Sequence, residues 1–114
     1  MKGKERNEIM KQFAMLEALK NLKEGDGFTL KNGKRINHKK GYQVADHGKE
    51  TRDTLEALGF INEMKGNCGL WYSEGIYYVD HSFRVKTEDE ALAIGRANNQ
   101  ISVFKWEDKS LIYC

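Results

Sequence analysis

Proline is missing from this 114-residue sequence. Every turn therefore has to be made by Gly, Asn, Asp or Ser, the residues that reach positive φ or bond their own backbone. Cysteine is scarce as well, because Cys68 and Cys114 stand alone and form no Cys-x-x-Cys pair. Two isolated thiols are typical of core residues in a reducing compartment rather than of a disulfide bridge or zinc ligands.

Long apolar runs are also lacking. No stretch approaches the roughly 20 apolar residues that a transmembrane helix needs. Basic residues open the chain at Lys2, Lys4 and Arg6, but the apolar segment of a secretory signal does not follow them. We therefore expect a protein of the cytoplasm that has no membrane partner.

Sequence signatures of catalysis are missing too. The chain contains no Gly-x-Gly-x-x-Gly, no Walker loop and no His-Glu-x-x-His, the motifs of nucleotide and zinc-protease chemistry. Asp80-His81-Ser82 has the residue types of a hydrolase triad, yet consecutive strand residues point to alternate faces and cannot form that relay. We expect a protein that is not an enzyme and that takes no cofactor and no small-molecule substrate.

Two His-carboxylate pairs raise the question of a metal site. Asp46-His47 and Asp80-His81 could supply ligands to one ion if their strands ran side by side. No spacing in the sequence enforces that neighbourhood, so the sequence predicts no metal ligands.

Length and apolar periodicity predict one α+β domain. A chain of 114 residues suits a single modest core. We divide the domain 1–114 into an N-terminal amphipathic helix within 1–24 and a body of sheet and helices at 27–114. Apolar spacings of three and four residues predict helices at 5–23, 51–64 and 88–98. In the second helix we expect Leu55, Leu58 and Ile61 to point inward.

Turn residues between short apolar runs predict the sheet. Asn32-Gly33 lies between 28–30 and 35–37, and Asn-Gly favours a two-residue hairpin because both residues can take positive φ. The other predicted strands lie at 42–45, 69–72, 76–80, 101–106 and 111–114. The fold class is thus α+β, an antiparallel sheet of hairpins with about three helices on one face.

The positive charge of the chain is concentrated near its start. Residues 1–49 contain twelve Lys and Arg against six Asp and Glu, whereas residues 50–114 contain seven against eleven. Five cations follow one another around the first hairpin, at Lys31, Lys34, Arg35, Lys39 and Lys40. They are candidates for binding phosphates or an acidic protein surface; the alternative is a solvated hairpin whose lysines protect an edge strand.

Aromatic residues are concentrated on the next hairpin. Tyr72 and Tyr78 are further candidates for partner contacts, since an exposed tyrosine pair would be an interaction hot spot. The alternative is that all the aromatic residues of this hairpin are core or cross-strand packing pairs.

Several short segments share one further feature: 41–44, 69–72 with Gly75, 77–82, 90–92 with Gly95, and 98–100. These segments resemble small accessory proteins that phages and mobile elements of Gram-positive bacteria carry, and the likeness covers about residues 27–114. Such accessory proteins include anti-CRISPR inhibitors, which are compact, usually non-enzymatic, and bind a Cas nuclease or its guide complex.

The resemblance implies an inhibitor that binds a bacterial nuclease effector. The expected target is a type II CRISPR nuclease (Cas9) or its guide RNA complex, with the basic hairpin facing acidic protein surface or guide RNA. Inhibition by mimicry of DNA is disfavoured because the net charge is +2. The alternative is a small nucleic-acid-binding accessory protein of a mobile element.

Overall fold

A computed structural model describes residues 3–114 of the chain. Met1 and Lys2, the first residues of the predicted segment 1–24, lie outside the described residues. Three helices occur within 3–114, α1 (Gly3–Lys20), α2 (Thr54–Glu63) and α3 (Glu88–Ala97). None of them combines the length and the hydropathy that crossing a membrane requires.

Seven strands form one antiparallel sheet within the same range, in the spatial order β2-β1-β4-β5-β3-β6-β7. Together with the helices they confirm the predicted α+β class. The strands are β1 (Gly27–Lys31), β2 (Lys34–Ile36), β3 (Tyr42–Thr51), β4 (Cys68–Ser73), β5 (Ile76–Val85), β6 (Ser102–Lys105) and β7 (Ser110–Tyr113).

Two hairpins turn on residue pairs with positive φ. Asn32 and Gly33 have φ of 51° and 80° between β1 and β2, and Glu74 and Gly75 have 53° and 77° between β4 and β5. Paired positive φ matches the twist of the flanking strands. The Asn32-Gly33 hairpin is therefore confirmed.

The centre of the sheet is longer than the sequence suggested. β3 continues past the predicted 42–45 to Thr51, and it pairs with β5 along its whole length apart from a bulge between Ala45 and His47. The prediction that the second helix begins at Thr51 is therefore wrong, because Thr51 ends a strand. α2 begins after Asp53, whose side chain accepts a hydrogen bond from the Glu56 amide at 3.0 Å.

All three helices cover the same face of the sheet. Tyr77 and Val79 of β5 pack with the buried residues Leu19 of α1 and Ile61 of α2 in one core. A second core joins Ala91 of α3 to the strands, at Val44, Val103 and the partly buried Phe83 and Val85. Residues 77, 79, 83 and 85 share one side of β5 because strand side chains alternate, so the predicted placement of the helices on one face is confirmed.

Only the end of α1 packs on this core. The predicted helix 5–23 ends earlier, at Lys20, and its apolar residues Ile9, Met10 and Phe13 are 41%, 63% and 61% exposed. The predicted amphipathic helix is thus buried only near Leu19. The periodic pattern could not reveal this, because it shows which side of a helix is apolar and not which other elements pack against that side.

One residue of α2 also departs from its predicted orientation. Ile61 is buried and Leu58 packs at the border of the core, but Leu55 is 67% exposed. The buried stripe of this helix runs instead through Ala57 and Ile61, which are four residues apart and therefore lie on the same side.

Two helical leucines provide a matched test of this packing. Leu19→Ala should lower the free energy of unfolding by roughly 2–5 kcal/mol, because Leu19 is completely buried and its truncation leaves a cavity. Leu55→Ala should change it by less than about 0.5 kcal/mol. Urea unfolding measures both, and equal effects of the two substitutions would contradict the assigned faces.

Candidate partner-binding interface

The sheet face opposite the helices forms an open groove of about 880 Å³. We call it the open face. Side chains and backbone from all seven strands line it, including Thr29, Ile36, Gln43, Trp71, Asp80, Ser82, Phe104 and Leu111. Because cross-strand partners share a face, the pairs Trp71–Tyr78 and Phe104–Leu111 point to this side together.

The aromatic hairpin divides its side chains between the two faces. Trp71 and Tyr78 are cross-strand partners on the open face, with ring centroids 5.8 Å apart, and Trp71 is 55% exposed. Tyr72 pairs with Tyr77 on the helical face at 4.8 Å. Tyr72 and Tyr78 therefore form no exposed tyrosine pair, and the aromatic pair on the open face is the exposed Trp71 with the partly buried Tyr78.

The register of β4 against β5 explains why Tyr72 and Tyr78 do not share a face. The two-residue turn pairs Ser73 with Ile76 and therefore Tyr72 with Tyr77. Tyr77 is 6% exposed, and its hydroxyl donates a hydrogen bond of 3.2 Å to the Leu19 carbonyl of α1. Tyr72 is consequently held beside the first core, where it serves packing more than partner contact.

A polar network under Trp106 forms the floor of the open face. The Trp106 indole N–H donates to Gln43 Oε1 at 3.1 Å, and Gln43 Nε2 donates to Ser82 Oγ at 3.0 Å. All three residues are buried, and Phe104 packs edge-on against Trp106 with centroids 4.9 Å apart. Satisfied buried hydrogen bonds rigidify such a floor.

The basic hairpin, Lys31 to Lys40, lies at one edge of the sheet. All five predicted cations are exposed: Lys31, Lys34, Arg35, Lys39 and Lys40. The Arg35 guanidinium lies 4.2 Å from the Phe28 ring centroid, a cation–π contact on the helical face, because Arg35 is the cross-strand partner of the buried Leu30. Lys31 and Lys34 are cross-strand partners, so two like charges are held side by side.

The tip of the basic hairpin is fastened to the loop after α2. The Gly33 amide donates to the Gly66 carbonyl at 3.1 Å, and the Asn32 amide donates to Asn67 Oδ1 at 3.0 Å. Gly66 has φ of +71°, and a Cβ there would clash with the Gly33 nitrogen. Only glycine permits this close approach, which fixes the position of the cations.

Two further residues lie at the basic hairpin that were not predicted from the sequence. Arg84 of β5 donates from Nε to the Lys40 carbonyl at 2.8 Å, and His38 packs edge-on against Trp106, with centroids 5.4 Å apart. Burial lowers the pKa of His38, and the positive charges of Arg84 and Lys31 lower it further. Lys31, His38 and Arg84 line one smaller pocket together with Gln43 and Ser82, although nothing in the sequence links Arg84 to the hairpin.

Asp80 brings a carboxyl group to the floor of the same groove. Burial raises the pKa of Asp80 above its ordinary value, and the charge of His47 opposes this shift only in part. Its neighbours alternate as expected, because Ser82 shares the open face whereas His81 pairs with His47 on the helical face. Asp80, His81 and Ser82 therefore do not converge.

Comparisons with protein-family models, with curated protein sequences and with solved structures found no match. Function is therefore inferred from the geometry of the two faces and from the resemblance of short segments.

The raised pKa of Asp80 gives a prediction with a definite sign. Because the pKa of Asp80 is raised in the folded state, folding favours the protonated carboxyl group. The stability that this group contributes is fully present below its ordinary pKa of 3.8, and it is lost as the pH rises through the folded-state pKa. Asp80→Asn preserves a neutral side chain at every pH. We expect this variant to be more stable than the parent protein at pH 7, with a gain that disappears in acid.

Asp108→Asn is the matched control for this measurement. Hydrogen bonding by Ser110 lowers the pKa of Asp108, so neutralising that carboxylate should not stabilise the protein at pH 7. Urea unfolding as a function of pH compares the two variants. A less stable Asp80→Asn protein at neutral pH would contradict the assigned shift.

Proposed function

We propose that this chain is a non-enzymatic inhibitor of a phage or mobile element, an anti-CRISPR protein. It binds a bacterial Cas nuclease or its guide RNA complex in the host cytoplasm and blocks nuclease activity. One observation carries the proposal: an edge of exposed cations borders an open, aromatic sheet face. The resemblance of residues 27–114 to phage and mobile-element proteins supplies the choice of target.

The two parts of the interface have complementary roles. Exposed Lys and Arg side chains steer an acidic protein or RNA surface toward the hairpin and increase the rate of association. Trp71 lies beside Tyr78 and is more than half exposed, so a partner can bury it on binding. Tryptophan is among the residues that contribute most to binding energy. The fixed hairpin and the hydrogen-bonded floor reduce the ordering cost on binding.

The positive charge of the basic hairpin favours a target that carries RNA or an acidic surface. A DNA mimic needs a dense negative surface, whereas the hairpin at this edge of the sheet carries five exposed cations. Contact with the guide RNA or with an acidic patch of the nuclease is therefore the step at which we expect inhibition.

A second candidate function is direct binding of single-stranded nucleic acid without a protein target. The Trp71–Tyr78 pair beside a cationic rim favours it, because bases stack on aromatic side chains while cations contact the backbone. Affinity would then fall steeply as salt rises, since each neutralised phosphate releases counterions.

Charge reversal of the basic hairpin tests the leading proposal. Replacing Lys34, Arg35, Lys39 and Lys40 with Glu should raise the concentration needed for half-inhibition of a purified Cas nuclease at least about 100-fold, because attraction becomes repulsion. Folding should be preserved, since exposed charges contribute little to stability. Trp71→Ala should weaken inhibition about tenfold or more by removing the exposed anchor.

The control changes charge on the opposite side of the sheet. Glu88→Gln with Asp89→Asn alters the first turn of α3 and should leave inhibition unchanged. If the charge-reversed protein folds and inhibits as well as its parent, the basic hairpin is not the interface. If the parent protein inhibits no Cas nuclease of a plausible host but binds single-stranded RNA with steep salt dependence, the second candidate replaces the first.

A further inference from the structure

Two histidines and one carboxylate meet on the helical face of the sheet, away from the proposed interface. His47 Nδ1 lies 2.7 Å and His81 Nδ1 lies 2.8 Å from the same atom, Asp46 Oδ1. One ligand atom of each residue lies within 4.8 Å of the other two. The two imidazole rings are stacked, with centroids 5.0 Å apart and planes 14° from parallel.

The bulge in β3 creates this arrangement. His47 and His81 are direct cross-strand partners, so their side chains share one face. In a regular strand the residue before His47 would point to the other face. The register shift between Ala45 and His47 makes Asp46 the extra residue, and a bulge of this kind redirects a side chain.

We propose that Asp46, His47 and His81 bind a divalent transition metal ion of the zinc class. Imidazole nitrogens with a carboxylate oxygen suit such ions, whereas magnesium and calcium prefer oxygen ligands alone. This site is independent of the proposed function. It also departs from the expectation that the chain has no metal ligands: β3 and β5 do run side by side, but the carboxylate that joins the two histidines is Asp46, not Asp80.

The two contacts of the Asp46 carboxylate require little rearrangement. Tetrahedral zinc at about 2.0–2.1 Å from its ligands holds ligand atoms roughly 3.3 Å apart. The carboxylate would therefore retreat by about half an ångström from its present contacts, and each imidazole would coordinate through a deprotonated Nδ1 and carry its proton on Nε2.

The three candidate ligands are accessible to solvent and to an ion. The His81 and Asp46 side chains are 30% and 34% exposed, and that of His47 is 60% exposed, so solvent can reach the cluster and complete a fourth coordination position. The cluster lies on β5 between Val79, which packs in the first core, and Phe83, which packs beside the second. A bound ion would thus cross-link β3 and β5 between the two cores.

Zinc titration of the metal-stripped full-length protein tests the proposal. Calorimetry should give one zinc ion per chain, and the unfolding midpoint should rise by roughly 10 °C at about 100-fold excess over Kd. Magnesium should do neither. Asp46→Asn, which keeps the shape of the side chain, should raise the zinc Kd at least about tenfold, and His47→Ala with His81→Ala should abolish binding.

Two controls separate this site from other ligands. His38→Ala removes the remaining histidine, which packs on Trp106, and Cys68→Ser with Cys114→Ser removes both free thiols; each variant should bind zinc as the parent does. Cobalt bound to the parent should show no sulfur charge-transfer band. Zinc Kd above about 1 mM, or binding that survives the double histidine substitution, would overturn the proposal.

Discussion

The pairing of β3 with β5 is the contact on which the rest of the structure depends. Each strand has ten residues, and they pair from Tyr42–Val85 to Thr51–Tyr77. β5 carries the side chains of both cores on one face, so α1 and α2 pack near one end and α3 near the other. Edge hairpins then attach through β4 on one side and β6 on the other. A slip of one residue in this register would exchange the buried face for the exposed one.

The two faces of this central strand pair carry different sets of functional side chains. Its open face carries Gln43, Ser82 and Asp80 beneath the aromatic groove, and Arg84 reaches from β5 to the loop that bears Lys40. Its helical face carries the His47–His81 pair, which the bulge supplies with a carboxylate. Partner binding and metal binding are therefore proposed on opposite sides of the same two strands, so that substitutions on one side can leave the other intact.

Local chemistry made the hairpins and helices predictable. Asn32-Gly33 defines its own turn, and the Thr87 hydroxyl accepts a hydrogen bond of 3.2 Å from the Glu90 amide in a capping box at the start of α3. The second half of β3 was missed because residues 46–51 are almost all polar, and only their pairing with β5 makes them a strand. The exposed cations of the hairpin were predicted by composition alone. Arg84, His38 and the Asp46 cluster were not, because tertiary packing brings them together from distant segments.

The central functional claim is that a partner contacts the open face and the basic hairpin rather than the helices. Hydrogen–deuterium exchange of this chain, alone and bound to a Cas nuclease with its guide RNA, tests it most directly. Binding at the open face should slow exchange in 27–41 and 68–78 and leave exchange in α3 unchanged. Protection confined to α1, α2 or α3 would contradict it, because the helical face would then be the interface.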